Sequence, residues 1–151
     1  MITYKSAMPV LSLKYTPGTY KKTKISQSKD LFNVFSNLYN EDTIEYREEC
    51  LVVYLNGANN TIGFSKHTTG STGSSIIDPK IILTEALLCG ANSIALSHNH
   101  PSCQLYPSRE DENITKKVKQ ACEAIGIRFL DHLIIAGDKS GYYSFCDESK
   151  I

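Results

Sequence analysis

Ser93-Ile-Ala-Leu-Ser-His98-Asn-His100-Pro101-Ser102 is the stretch from which the rest of the chain is read. It begins as a short apolar strand and runs directly into two histidines one residue apart. In an extended segment the side chains at i and i+2 point the same way, so His98 and His100 can face one ion. After a loop, Ser108 opens a helix whose first turn carries Asp111, which brings two imidazoles, a hydroxyl and a carboxylate within fourteen residues. Two imidazole nitrogens and one carboxylate oxygen suit Zn²⁺, and three protein ligands leave a fourth position for water, as catalytic sites do. Zinc lowers the pKa of such a water to ~7. The water still needs a general base, for which Glu48 and Glu49 are candidates. Read alone, Ser108-x-x-Asp111 is equally a helix capping box. A helix N-terminus favours negative charge, so Asp111 can serve as first-turn residue and ligand together.

Working outward, the pattern alternates strands and helices around one sheet. Upstream, Asp30 to Tyr39 carries Leu31, Val34, Phe35 and Leu38 at helical spacing. Cys50 to Leu55 is an apolar run of strand length, Asn56 to Asn60 is turn chemistry, and Thr61 to Lys66 returns as the second strand of a hairpin. Thr68 to Ser75 reads as a loop. Asp78 and Pro79 start a helix that Gly90 closes. Downstream, the helix from Ser108 has Ile114, Val118, Cys122 and Ile125 as its predicted inner stripe and Gly126 as its stop. Ile127 to Ala136 and Tyr142 to Phe145 are the last two strands, joined by a turn over 137–141.

The chain has 151 residues, 41% hydrophobic and 21% charged, which fits a single globular domain rather than a disordered or fibrous chain. No apolar run reaches membrane-spanning length and no signal peptide is recognisable, so a cytoplasmic location is expected. The five cysteines (50, 89, 103, 122 and 146) form no CxxC pair, and Cys50, Cys89 and Cys122 read as small buried hydrophobes. The formal charge of zero divides unevenly. Residues 1–29 hold six lysines and no acid, whereas residues 30–151 hold the other 10 basic and all 16 acidic residues, +6 against −6. The arm, 1–29, reads as one or two short edge strands or a solvated lead-in. A basic arm is also a candidate phosphate-binding contact with nucleic acid.

His98-Asn-His-Pro-Ser102 followed by Pro107-Ser-Arg-Glu-Asp111 resembles the signature of the JAB/MPN (JAMM) metalloprotease-like superfamily, in its RadC-like branch. Arg47-Glu-Glu49, Asp78-Pro-Lys80, Leu130-Asp-His-Leu-Ile-Ile135 and Gly141-Tyr-Tyr-Ser-Phe145 resemble further parts of that branch, in order, over about residues 41–148. The resemblance implies an α/β (α+β) single domain over 30–151, a mixed sheet flanked by helices in the deaminase-like JAB/MPN fold. It implies one Zn²⁺ held by His98, His100 and Asp111, with Glu48 as general acid/base and Ser108 steadying the oxyanion. Glu49, one residue on, would face the other side of the strand. The implied function is metallopeptidase- or isopeptidase-type hydrolysis of a peptide or protein substrate. A DNA-associated role (repair or mobile elements) through the arm, and a non-catalytic interaction module, are the alternatives. Asn99 and Ser102 would shape the ligand loop, and Asp131 and His132 would be structural, with His132 able to stand behind the site. Two departures stand out. Cys103 occupies a position where the branch usually has glycine, at a cost of about 1 kcal/mol if the backbone there has positive φ. And the helix-hairpin-helix module of full-length RadC proteins has no counterpart in residues 1–40, so a catalytic-type domain with a short arm is expected.

Overall fold

An apolar run without alternation, such as Cys50–Leu55, needs cover on both faces. In the computed structural model, which describes residues 7–69 and 77–151, it has that cover. The described elements are α1 (Ser28–Leu38), β1 (Glu49–Leu55), β2 (Thr61–Thr69), α2 (Pro79–Leu88), β3 (Ser93–His100), α3 (Arg109–Ala124), β4 (Arg128–Ala136) and β5 (Tyr142–Ser144). They form one five-stranded sheet in the order β2-β1-β3-β4-β5. β1 is antiparallel to both β2 and β3, β4 is parallel to β3, and β5 is antiparallel to β4. The sheet is mixed and flanked by helices, the α+β architecture expected of the JAB/MPN fold.

Side-chain parity divides the core. Leu51, Val53, Leu55 and Ala95 pack on Leu31, Val34 and Phe35 of α1. Cys50, Val52, Tyr54, Ile94 and Leu96 pack on the opposite face, against Ile82 and Ala86 of α2 and Val118 and Cys122 of α3. The starts of α2 and α3 are readable in the sequence, whereas α1 begins at Ser28, two residues before the expected Asp30. Asp30 accepts the backbone N–H of Ser26 and of Gln27, Asp78 accepts that of Lys80, and Ser108 accepts that of Asp111. α2 is stopped by Gly90, just beyond its C-cap Cys89, and the Gly90 φ of +66° is the left-handed conformation that glycine adopts without steric cost.

Four expectations need correction. β2 continues through Thr68 and Thr69, because β1 begins at Glu49 and the ladder pairs Cys50 with Thr68 and Glu49 with Thr69. The rest of the loop expected at 68–75 lies outside the described residues. Ile125 is not part of the inner stripe of α3. The helix ends at Ala124, Ile125 is its 43% exposed C-cap, and Thr115 is buried in the stripe instead. Cys89, the C-cap of α2, is half-buried. Of the two alternatives for the arm, the edge strand is not formed among the described residues, where the arm makes one isolated bridge, Lys24 to Asn60; Lys29 lies within α1 with its ammonium 4.4 Å from the Phe32 ring centre. Lys5 lies outside the described residues. Among the described residues, no helix is long and apolar enough to cross a membrane.

Candidate metal centre

Ile94 and Leu96 fix which face of β3 its even-numbered residues occupy, and His98 and His100 continue that face to the end of the strand. The crossover into α3 starts there, so the first turn of α3 is delivered to the same point. His98 Nε2 lies 2.9 Å from His100 Nε2 and 3.2 Å from Asp111 Oδ1, and His100 Nε2 lies 3.7 Å from Asp111 Oδ2. Among the described residues, these three form the one group of His, Cys, Asp and Glu side chains able to hold a metal ion, with ligand atoms within 4.8 Å of one another. His98 is buried, and His100 and Asp111 are partly open.

The surrounding structure orients each of these groups. His100 Nδ1 donates to the Gln104 carbonyl at 2.5 Å, which turns Nε2 inward. The His100 carbonyl accepts from the backbone N–H of Cys103 and of Gly137, each at 2.9 Å. Glycine at 137 lets the two backbones approach closely, because a Cβ there would meet Pro101 Cα at 3.0 Å and the Pro101 carbonyl at 3.1 Å and push them apart. The Asp111 carboxylate also accepts the Ser108 N–H at 2.7 Å. On the far side of His98, Nδ1 lies 2.7 Å from His132 Nε2, and His132 Nδ1 lies 2.6 Å from the Thr115 hydroxyl, which donates to the Asp111 carbonyl at 2.6 Å.

The charges respond to this convergence. Burial raises the Asp111 carboxyl, but hydrogen bonds with His100 and His98 outweigh it and hold the group well below the carboxylate range. Burial lowers the His100 ring, but the Asp111 carboxylate and the Gln104 carbonyl outweigh it, and the ring is raised. Burial and the His98 ring hold His132 well below an ordinary histidine. If both rings are neutral with their protons on Nδ1, two Nε2 atoms 2.9 Å apart beside a carboxylate are three facing acceptors. A proton or a cation would satisfy that arrangement. Its nitrogen and oxygen donors suit a borderline divalent ion such as Zn²⁺.

The other sequence-predicted residues fall around this centre. The β1–β3 register ends by pairing Cys50 with His98, and Glu48 immediately precedes β1 at that end of the sheet. Glu48 is half-buried, and its charge acts on the His100 ring. Glu49 faces away, accepting from Lys66 Nζ at 2.6 Å and from the Thr43 hydroxyl. The Ser108 hydroxyl accepts the Asp111 N–H, so the capping box is present and its own proton is left to donate. The Ser102 hydroxyl lies in the loop after His100, 3.4 Å from the Gln104 N–H. Asn99 does not shape that loop. Its amide donates to the carbonyls of Ile44 and Arg47 and accepts the Glu49 N–H, so it clamps the segment that carries Glu48. Asp131 ties down the C-terminal turn by accepting from the Ser144 hydroxyl and the Cys146 N–H. Cys103 has φ +61°, the left-handed conformation for which glycine is favoured. Thr115 and Gly137 escaped sequence reading. The i, i+3, i+7 spacing of Thr115, Val118 and Cys122 was the available signal for the former.

A profile of the RadC-like JAB domain matches residues 25–151. A UPF0758 protein of Flavobacterium johnsoniae is 40% identical over 128 residues, covering 85% of this chain and 54% of the relative. UPF0758 proteins of Streptococcus sanguinis (44% over 106 residues) and Actinobacillus pleuropneumoniae (39% over 104) cover 70% and 69% of this chain, and 46% of each relative. The chain thus spans about half the length of the curated relatives it matches. The match takes in every strand of the sheet and every residue of the His98–His100–Asp111 cluster, and the chain belongs to the RadC-like JAB domain family.

Proposed function

We propose that the chain is a zinc-dependent hydrolase of peptide or isopeptide bonds. The observation that carries this reading is the convergence of His98 Nε2, His100 Nε2 and Asp111 on one point, beside a half-buried Glu48. A Zn²⁺ ion held by those three residues would supply Lewis acidity and a water acidic enough to react near neutral pH. Glu48 would serve as the general acid/base, the carboxylate that holds the proton between the attacking water and the leaving amine. Ser108, at the N-terminus of α3, donates its hydroxyl proton to the oxygen on which charge develops. The capping box and the Asn99 clamp hold Ser108 and the Glu48 segment in place. The test is Glu48→Gln, with zinc content and peptide or isopeptide cleavage measured together. The variant should keep its metal and lose about 10²–10⁴-fold in cleavage rate. Unchanged cleavage would remove Glu48 from the chemistry, and a wild-type protein without stoichiometric zinc would remove the reading as a whole.

A second reading rests on the arm, where Lys14, Lys21 and Lys22 are exposed. If they bind nucleic-acid phosphates, affinity should fall steeply with salt and drop on deletion of residues 1–29.

A further inference from the structure

We infer that His132 and Thr115 are positioning residues that select which nitrogen of His98 is presented to the metal. The inference rests on the metal reading above and deepens it. It follows from counting protons along one buried chain of hydrogen bonds. The Thr115 hydroxyl has a single proton, and the Asp111 carbonyl, 2.6 Å away, can only accept. That proton is therefore committed to Asp111. The contact between Thr115 and His132 Nδ1, also 2.6 Å, is then an N–H donated by the ring to the hydroxyl oxygen.

His132 is fully buried, stacked 5.0 Å from the Phe145 ring, and no carboxylate is hydrogen-bonded to its ring. With its Nδ1–H committed to Thr115, the neutral His132 ring has its lone pair on Nε2. His98 Nδ1, 2.7 Å from that lone pair, must donate to it. The remaining nitrogen of His98, Nε2, is the atom turned toward His100 and Asp111. Asp111 anchors both ends of the circuit. Its carbonyl fixes the direction of the proton chain through Thr115, and its carboxylate lies beside the nitrogen that the chain selects. His100 is set separately, by its Nδ1 donation to the Gln104 carbonyl. Both rings are thus committed to binding through Nε2 by partners on opposite sides of the site.

The test uses the full chain and has two readouts that do not depend on turnover. Zn²⁺ affinity is measured by competition with a chromophoric chelator for wild type, Thr115→Val, Thr115→Ser and His132→Leu. Thr115→Val keeps the shape and removes the hydroxyl, whereas Thr115→Ser keeps the hydroxyl. The Val and Leu variants should bind zinc about 10–100-fold more weakly, and the Ser variant should stay within about threefold of wild type. Long-range ¹H–¹⁵N correlation spectra of the histidine rings should show wild-type His132 as the Nδ1–H tautomer. Thr115→Val within about twofold of wild type, or His132 carrying its proton on Nε2, overturns the inference. If wild type takes up no zinc at all, the proposed function fails, while the tautomer of His132 still decides the relay.

Discussion

Two polar clusters lie on the sheet face covered by α2 and α3, and their proton inventories differ. Around Glu85 of α2, three donors meet one acceptor. The Tyr54 hydroxyl, the Ser65 hydroxyl (2.6 Å) and His67 Nε2 (2.8 Å) all converge on Glu85 Oε2. Burial raises that carboxyl, but the hydrogen bonds from Ser65 and Tyr54 and the His67 ring outweigh it, and it is lowered. Every group in that cluster is satisfied by the others. Around Asp111 the count is reversed. Two imidazole Nε2 atoms and a carboxylate face one another, and the outward nitrogens are already donating to Gln104 and toward His132. A histidine beside a carboxylate is common to both sites. An excess of inward acceptors belongs only to the second, and it is what makes that cluster, and not the Glu85 cluster, a candidate site for a cation.

The largest effect should come from removing the excess. His98→Ala should abolish stoichiometric zinc binding, and zinc should no longer raise its melting temperature. For wild type, zinc at about 100 times its Kd should add about 2.7 kcal/mol. The pH dependence sharpens the contrast. The folded His100 pKa is raised, so its stabilising contribution in the metal-free protein is complete below the unfolded value of ~6.5 and is lost as pH rises through the folded value. The Asp111 pKa is lowered, so its contribution is present above ~3.9 and is lost as pH falls through the folded value. Zinc replaces the His100 proton, so the stabilisation by zinc should grow between about pH 6 and about pH 8. Melting curves with and without zinc at the two pH values decide it. An increment that shrinks with rising pH would mean that the cluster does not take the ion in place of a proton.

A smaller effect, in stability alone, is expected at the saturated cluster. Glu85→Gln converts an acceptor of three hydrogen bonds into an amide that matches them poorly. The part-exposed site should lose about 1–2 kcal/mol in denaturant unfolding. Zinc affinity should not move, because no Glu85 contact reaches His98, His100 or Asp111. A Glu85→Gln protein whose zinc binding weakens as much as that of a His132 variant would show the two clusters to be coupled, and the comparison would collapse.

Much of the candidate metal centre was legible because period-two parity is a local property. His98 and His100 share a face from their spacing alone, and the same parity separates Glu48 from Glu49. The capping box gave Asp111 its position in the first turn of α3. The residues behind the site depend on pairing between distant segments, which hydropathy does not encode. Asn99 reaches Ile44 and Arg47, and His132 reaches Thr115 across the β4–α3 contact. Thr115 was passed over for Ile114 because the stripe was chosen by hydrophobicity, although the buried polar side chain is the one with a partner. In the arm, strand-like composition yields one isolated bridge among the described residues, Lys24 to Asn60, and Val10 and Leu11 remain exposed.

The smallest expected effect sits on the rim of the acceptor-rich cluster. Cys103 has φ +61°, and its N–H is held by the His100 carbonyl, so the turn cannot relax without loosening a ligand residue. A non-glycine residue in that region costs about 1–2 kcal/mol, while glycine gives back roughly 0.5–1 kcal/mol through its more flexible unfolded chain. Cys103→Gly should therefore stabilise the protein by roughly 0.5–1 kcal/mol, or about 1–4 °C in melting temperature for a domain of this size. Cys103→Ala separates the backbone from the thiol, since it removes the sulfur and leaves the strain, and its melting temperature should match wild type. Equal stabilisation by Gly and Ala would assign the cost to the thiol instead. Zinc affinity should stay constant in both, because the His100 ring is oriented by Gln104 and its carbonyl is also held by Gly137. A change in affinity with Cys103→Gly alone would mean that the strained turn, and not only the side-chain network, sets the position of His100.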